Sequence, residues 1–379
     1  MGFLGVTYSI TGRTWVGPTD DVRRRGEAMA QQTDYPLALC STLARLGVPI
    51  DDVDRYLDPK LQDLLPDPRS LKDMETAAAR IVHSVQAKQR VAIFADYDVD
   101  GGTSAALWIS WYRHFGITPT LYIPDRIDEG YGPNDDAMSM LARDHDLIIC
   151  VDCGTLSHGP ISAAQGADVI VLDHHLGGET LPDCAAVVNP NRQDETGDLA
   201  HLCAAGVVFL TQVECRRQMR DVGVQSPDLM ALLDLVALGT VADVAPLIGV
   251  NRAFVRTGLK VMARRDRIGL VALADCAGMN TAPNSYHLGF LLGPRINAGG
   301  RIGQADLGAR LLASTSQPEA QAMAEKLDQL NKDRRDVENQ VRLLAMEQAE
   351  ARGFDKALVW AAGEGWHPGV VGIVASRLK

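Results

Sequence analysis

Five short apolar runs punctuate residues 90–190: RVAIFA, TPTLYIP, LIICV, DVIVL and AAVVN. They are unbroken rather than alternating, which is the pattern of strands buried on both faces. Between them lie TSAALWISWYRHFG, PNDDAMSMLARDH with Pro133 near its start, and a weaker stretch to Gly166, all with helical spacing. Strands alternating with helices of about 12 residues predict parallel crossovers. The fold class expected here is α/β, a doubly wound, mainly parallel sheet.

The flanks follow other patterns. Residues 1–85 begin polar and irregular, with RRRGEAMAQQ opening a helix and helical spacing again from Leu71. We expect an N-terminal cap over 1–85 and a catalytic domain over 86–250. A helical extension over 251–315 should carry turns at GPRINAGGRIG, as residues 239–247 should at GTVADVAPL. Ser316-Gln317-Pro318-Glu319 has capping-box spacing. Met323, Leu327, Leu330, Val337, Val341 and Leu344 then form a near-heptad stripe, broken at Arg334. This predicts a connector helix over 316–353, packed on one side. KALVWAA predicts a strand, and GWHPGVVGIVASRLK a helix. Residues 354–379 are too few for a core of their own. They read as the start of a second α/β domain, cut short and labile.

Composition narrows the classes. The chain has 379 residues, 46% hydrophobic and 22% charged, with a formal charge of −11. That is globular composition without a coat of positive charge, though a local basic groove stays compatible with it. Aromatics make up 5%, too few for an extended base-stacking platform. Seven cysteines show no disulfide framework, and Cys150-x-x-Cys153 runs into an apolar segment, so buried reduced thiols are expected. No run has the pattern of a signal peptide or the length of a membrane span. A soluble protein of a reducing compartment is expected.

The chemistry sits where the strands end. In a doubly wound sheet, ligands bind outside the carboxyl ends of the strands. The first strand runs into Asp96, Asp98 and Asp100, the third into Asp152, and the fourth into Asp173, His174 and His175. So many carboxylates cannot lie together uncompensated, because like charges at close range raise one another's pKa. Divalent cations resolve this. Carboxylates with imidazoles suit manganese or magnesium, with zinc or iron as alternatives and Cys153 a marginal further ligand. Six or seven ligands exceed one tetrahedral site and suit two metals about 3.5–4 Å apart, an arrangement made for phosphoryl chemistry. Asp173 fits the role of orienting an imidazole. Gly101, Gly102 and Thr103 would open a helix N-terminus toward an anion.

FADYDVDGGTSAAL, VDCGT, VLDHH, GTVADVAPL, GPRINAGGRIG and GWHPGVVGIVASRL together resemble the DHH phosphoesterase superfamily, and within it the RecJ single-strand-specific exonucleases. LPDPRSLKDMETAAARI resembles that family's N-terminal region, so the likeness covers nearly the whole chain. It implies a metal-dependent exonuclease that degrades single-stranded DNA from the five-prime end and releases mononucleotides. Recombination and repair in the bacterial cytoplasm would be its setting. Two Mn²⁺ or Mg²⁺ ions are implied as cofactors. Single-strand-binding protein and a recombination helicase are implied as partners beside the DNA, with no membrane. The family's metal ligands carry over to Asp96, Asp98, Asp100, Asp152, His174, His175 and Asp243, of which Asp98, Asp152, His174 and His175 are implied as catalytic. Arg126 and Tyr131 in DRIDEGYG resemble a clamp on the terminal phosphate and base. Arg295, Asn297, Arg301, His367, Ser376 and Arg377 are implied to line the strand's groove. Family members continue into the rest of a DHHA1-type domain and an OB-fold, whereas this chain stops at Lys379. Two alternatives remain open at this point: a small-substrate phosphoesterase of the same superfamily acting on oligonucleotides or cyclic dinucleotides, and a non-catalytic protein that binds a replication complex.

Overall fold

The computed structural model describes residues 2–353 and 357–378. The chain divides into two compact units, Met1–Leu64 and Leu65–Lys379. The division falls 21 residues before the boundary expected at 85/86, because the helix that follows belongs to the sheet. In the first unit, helices α1 (Asp20–Gln32), α2 (Leu37–Arg45), α3 (Val53–Leu57) and α4 (Leu61–Leu64) are short. The Thr19 hydroxyl caps α1 by accepting from the Val22 N–H. A small core of Met29, Cys40, Leu43, Ala44, Val48 and Val53 holds the unit together.

The second unit opens with α5 (Met74–Gln86), β1 (Val91–Ala95), α6 (Val99–His114), β2 (Thr120–Tyr122), α7 (Asp135–Asp144) and β3 (Leu147–Val151). It continues with α8 (His158–Ala163), β4 (Asp168–Leu172) and β5 (Ala186–Val188). The five strands are parallel, in the order β2-β1-β3-β4-β5. Helices α5 and α6, with α9 (Ala204–Asp221), pack on one face, and α7 and α8 on the other. Both faces are therefore covered, and β1 and β3 are buried at every residue. That is why their sequences run apolar without alternation. The strand order reverses between β1 and β3, which opens a crevice beyond their carboxyl ends.

Helix α6 is buried almost all round. Trp108, Trp111 and Tyr112 are 0% exposed. Against it lie α9, α10 (Leu233–Ala242) and, further along the chain, α14 (Leu307–Leu312). Next come α11 (Gly249–Met262), α12 (Ile268–Cys276), a π-helical turn at His287–Leu292, α13 (Gly293–Ile302) and α14 (Leu307–Leu312). Here the expectation of turns fails for GPRINAGGRIG, most of which is helix, and holds for GTVADVAPL, where the chain turns at Asp243-Val244 once α10 has ended at Ala242. The glycines are not breakers in α13 but close-contact points. A Cβ on Gly300 would lie 2.5 Å from the Tyr97 carbonyl oxygen, and one on Gly293 2.9 Å from that of Leu288. Tertiary approach outweighs the roughly 1 kcal/mol helix penalty of each glycine.

The long helix α15 (Gln317–Arg352) forms as expected, but its details differ. The capping box is not made: Ser316 makes no side-chain cap, and its N–H donates to Ser314 Oγ. The buried face runs through Ala320, Ala324, Leu327, Leu330, Val341, Ala345 and Ala349, while Leu344 is half exposed. The small alanines let neighbouring helices approach. Arg334 stays in the buried face because Glu338 and Asn331 satisfy its guanidinium. The expected strand in KALVWAA is absent among the described residues Ala357–Ala362. Helix α16 (Pro368–Leu378) is present and packs Val370 and Val374 on Val341 and Ala345 of α15. The described part of the C-terminal segment thus shares a small core with the connector. No helix is long and apolar enough to cross a membrane among the described residues.

Candidate metal centre and strand-binding groove

Each loop at the carboxyl edge is built by a local device. After β1 the chain turns at Asp96-Tyr97-Asp98, and α6 starts at once. Asp98 is its N-cap, accepting from the N–H groups of Asp100 (2.8 Å) and Gly101 (3.2 Å). This closes the anion site expected at Gly101, Gly102 and Thr103. Those N–H groups lie in a buried first turn, and Asp98 already occupies its mouth. Asp100 turns the other way. Its two oxygens accept from the backbone of Ala204 (2.6 Å) and Ala205 (2.9 Å), so it fastens the N-terminus of α9.

After β3, Asp152 takes a left-handed backbone, φ 62°. Few side chains other than Asn and Asp adopt this readily. After β4, the Asp173 carboxylate accepts from the backbone N–H groups of His174 (2.7 Å), His175 (3.2 Å) and Thr155 (3.1 Å) and from His175 Nδ1 (2.8 Å). Burial alone would raise its pKa, but these bonds hold it well below the usual carboxylate range. The orienting role expected of Asp173 matches this geometry. Its bond raises the His175 pKa.

The seven expected ligands converge. Three sets offer ligand atoms that all lie within 4.8 Å of one another: Asp152 with His174 and His175, Asp100 with His174 and Asp243, and Asp96 with Asp98 and Asp152. His174 Nε2 lies 3.2 Å from Asp152 Oδ1 and 3.8 Å from Asp100 Oδ2, and its Nδ1 is 3.9 Å from Asp243. Burial, with Asp98 beside it, pushes Asp96 up to about 7. Burial and Asp100 do the same to Asp243, also to about 7. Asp152 rises well above its normal value through burial and then through Asp100, Asp98, Asp96 and Asp173.

Asp96 Oδ1, Asp152 Oδ1 and His174 Nε2 are buried with no hydrogen-bond partner. Buried polar atoms are normally paired, so unpaired atoms on three of the converging side chains fit a site for a cation. Oxygen and imidazole donors of this kind suit a hard or borderline divalent ion. Cys153 is not among the donors. Burial pushes its thiol up, and it donates to the Val151 carbonyl (3.4 Å). Cys150 is likewise buried and free.

The strand-binding candidates separate into groups. Tyr131 reaches the centre: its hydroxyl donates to the Asp152 carbonyl and lies 3.3 Å from the His175 ring. Arg126 stacks its guanidinium 5.0 Å from the Tyr97 ring centre and makes no ion pair among the described residues. Asn297, Arg301 and Arg377 line an open cavity of about 430 Å³, joined there by Arg334, Arg335 and Glu338 of α15. Asn297 also accepts from the Val99 N–H, tying the cavity to the start of α6. Arg301 donates to the Gly369 carbonyl (3.0 Å), and Arg377 pairs with Glu338.

Arg295 lies apart from this cavity. It is 9% exposed and committed to Asp328 (2.9 Å) and the Leu291 carbonyl (2.7 Å), so its charge holds α13 to α15 and does not reach the cavity. His367 accepts from the Gly369 N–H at the start of α16, and Ser376 bonds back to the Gly372 carbonyl. Neither lines the cavity.

Sequence reasoning missed Tyr97, Asn189, Asn191, Arg334 and Arg335. The two asparagines hold the loop after β4, donating to the carbonyls of His175 (2.8 Å) and His174 (2.6 Å). The N-P-N run directly after β5 was the available signal. Nothing in helical periodicity marks Arg335 as facing a cavity.

The model for the DHH family, N-terminal domain, matches residues 90–240. Single-stranded-DNA-specific exonuclease RecJ of Bacillus subtilis is 38% identical over 357 residues, 93% of this chain and 44% of the relative. The RecJ of Escherichia coli is 36% identical over 94% of this chain and 65% of its own. Among solved structures, an exonuclease RecJ bound to manganese aligns with TM-score 0.73 and 35% identity, over 83% of this chain and 78% of that one. RecJ from Thermus thermophilus in complex with Mn²⁺ aligns with TM-score 0.77 and 31% identity, over 96% of this chain and 51% of that one. The chain spans about half to two thirds of the length of the curated relatives it matches, 44% and 65% for these two.

Proposed function

Because this chain belongs to the RecJ family of the DHH superfamily, we propose that it hydrolyses single-stranded DNA from the five-prime end and releases mononucleotides, using two divalent cations, Mn²⁺ or Mg²⁺. The observation that carries the reading is the convergence of seven ligand side chains in three overlapping sets, with three of their atoms buried and unpaired. Asp96, Asp98 and Asp152 would hold one ion. Asp100, Asp243, His174 and His175 would supply the other, with Asp152 shared. Cations bound there supply an activated water near neutral pH and absorb charge on the phosphate.

The rest is work of the chain's own groups. Asp173 fixes the orientation of His175 through its bond to Nδ1, while the Tyr131 hydroxyl lies 3.3 Å from Nε2. The Tyr131 hydroxyl bridges the Asp152 carbonyl and the imidazole, which braces the strained residue. Tyr97 carries Arg126 on its ring face at the mouth of the centre, positioned for a terminal phosphate. Arg301 and Arg335 give the neighbouring cavity positive charge to follow a phosphate backbone, beside Arg334 and Arg377, which share Glu338, against a chain that is acidic overall. Recombination and repair in the cytoplasm, with single-strand-binding protein and a recombination helicase as partners, form the setting we propose.

The test is manganese-dependent digestion of end-labelled single strands of both polarities. Mononucleotides released from the five-prime end are expected. Release from the three-prime end alone would overturn the polarity, and hydrolysis confined to cyclic or very short nucleotides would favour a small-substrate enzyme.

Arg126→Ala should distinguish the clamp from a general backbone contact. A charge-assisted bond to a terminal phosphate is worth about 1.5–3 kcal/mol. The expected result is a roughly 10–100-fold loss of kcat/KM on a five-prime phosphorylated strand and a much smaller loss on a five-prime hydroxyl strand. Equal losses would mean that Arg126 does not read the terminus.

A further inference from the structure

One pair of aromatic rings is not used by any part of this mechanism. Tyr286 and Phe290 are 64% and 69% exposed, although each carries a large apolar face. Their rings are stacked on each other, with centroids 5.2 Å apart and planes 22° from parallel. They stand on the outer side of the π-helical turn His287–Leu292, whose Leu288 and Leu292 are 0% exposed. Single π-turns within helices are uncommon and tend to occur at functional sites.

The pair is also held in place before any ligand arrives. The His287 N–H donates to Asn284 Oδ1 (3.2 Å), and the Asn284 N–H donates back to His287 Nδ1 (3.2 Å). This reciprocal lock fixes the turn that presents Tyr286, so little ordering is left to oppose binding.

Its position links the two parts of the proposed site. A Cβ on Gly289, next to Phe290, would lie 3.5 Å from a methyl of Val241, two residues before Asp243. A Cβ on Gly293 would meet Ala242 and Val99 at 3.6 and 3.9 Å, beside the start of α6. The same turn runs without a break into α13, whose Asn297 and Arg301 line the basic cavity. The turn that carries the stacked rings therefore packs on residues flanking the acidic cluster and continues into the helix that lines the cavity.

We infer that Tyr286 and Phe290 form a base-stacking platform that holds a nucleobase of the single strand beside the metal centre. The inference rests on the exonuclease reading. Arginines of the cavity can hold phosphates but do nothing for the bases, and a single strand exposes its bases. A flat aromatic pair accepts any base, because every base has a π-face, so it grips a strand without reading its sequence. A pair of this size is compatible with a chain poor in aromatics, since it is a local platform and not a long ladder.

The test compares oligothymidylate with a strand of equal length whose sugars carry no bases, using the full chain with manganese. Tyr286→Ala with Phe290→Ala should lower kcat/KM on oligothymidylate roughly tenfold or more, mainly through KM, because stacking on a ring is worth that much per base. The baseless strand should be cut equally by wild type and variant. Phe290→Trp should keep near-normal activity, and its fluorescence should be quenched by oligothymidylate but not by the baseless strand. Equal loss on both strands would assign the rings a structural role and overturn the inference, as would an unimpaired double variant. A wild-type chain that cleaves neither strand would overturn the exonuclease reading and this inference with it.

Discussion

Replacing Asp152 with asparagine is expected to lower turnover on a labelled single strand at least about a thousandfold while leaving the fold intact. Asp152 belongs to two of the three ligand sets, so its loss empties the shared position. An interaction of this kind supplies several kcal/mol to the transition state, and about 4 kcal/mol corresponds to three decades of rate. Asparagine is the better probe than alanine. The residue sits at φ 62°, where asparagine is tolerated and alanine is strained. Asparagine also keeps the shape of a side chain that is 2% exposed. Calorimetric titration with Mn²⁺, with circular dichroism as control, reads the second half of the prediction: stoichiometry should fall. Unchanged stoichiometry together with turnover within tenfold of wild type would remove Asp152 from the centre.

The sheet and its chemistry were readable in the sequence for one physical reason. A parallel sheet covered on both faces forces unbroken apolar runs, and the polar residues that end those runs must lie at one edge. What sequence spacing does not separate is the work of neighbouring acids. Asp96, Asp98 and Asp100 look alike in DYDVD. In the structure Asp96 is left with an unpaired buried oxygen, Asp98 caps α6, and Asp100 fastens α9. Those differences depend on the partner 104 residues away at Ala204, which no local pattern reveals.

Glycine misled in a similar way. GPRINAGGRIG has the composition of a turn, yet Gly300 is where the helix backbone meets that of Tyr97, and Gly293 is where the helix meets the side chains of Ala242 and Val99. Local propensity argued for a break, and tertiary packing overrode it. Arg295 and Arg301 sit six residues apart in that motif with the same charge. One is spent on Asp328 and the other faces the cavity, a distinction set by α15, which arrives later in the chain. ALVWAA carries strand propensity, but Ala357–Ala362 have no neighbouring strand to pair with among the described residues, and an isolated strand has no ladder to stabilise it.

The crowding that makes the centre should also cost stability, and Asp96→Asn exposes that cost. Asp96 is raised from 3.8 to about 7 by burial and by Asp98. The sign follows from linkage. Below about pH 4 the carboxyl is protonated in both folded and unfolded chains, and it contributes no penalty. Between about 4 and 7 the unfolded chain releases the proton while the folded chain keeps it, so metal-free stability falls as pH rises. Above about 7 the penalty is complete and amounts to several kcal/mol, since each tenfold difference in proton affinity between the two states is worth about 1.4 kcal/mol. Asparagine cannot ionise. The metal-free variant should therefore melt several degrees above metal-free wild type at pH 8, with the gap closing as the pH approaches 4. Manganese should reverse the order, raising the melting temperature of wild type at pH 8 far more than that of the variant. It should raise wild type less at pH 5.5, where the ion must displace a proton. Thermal melts with chelator and with Mn²⁺ across this range read all three effects. A metal-free variant less stable than wild type at pH 8 would show that Asp96 serves the fold and not the ion.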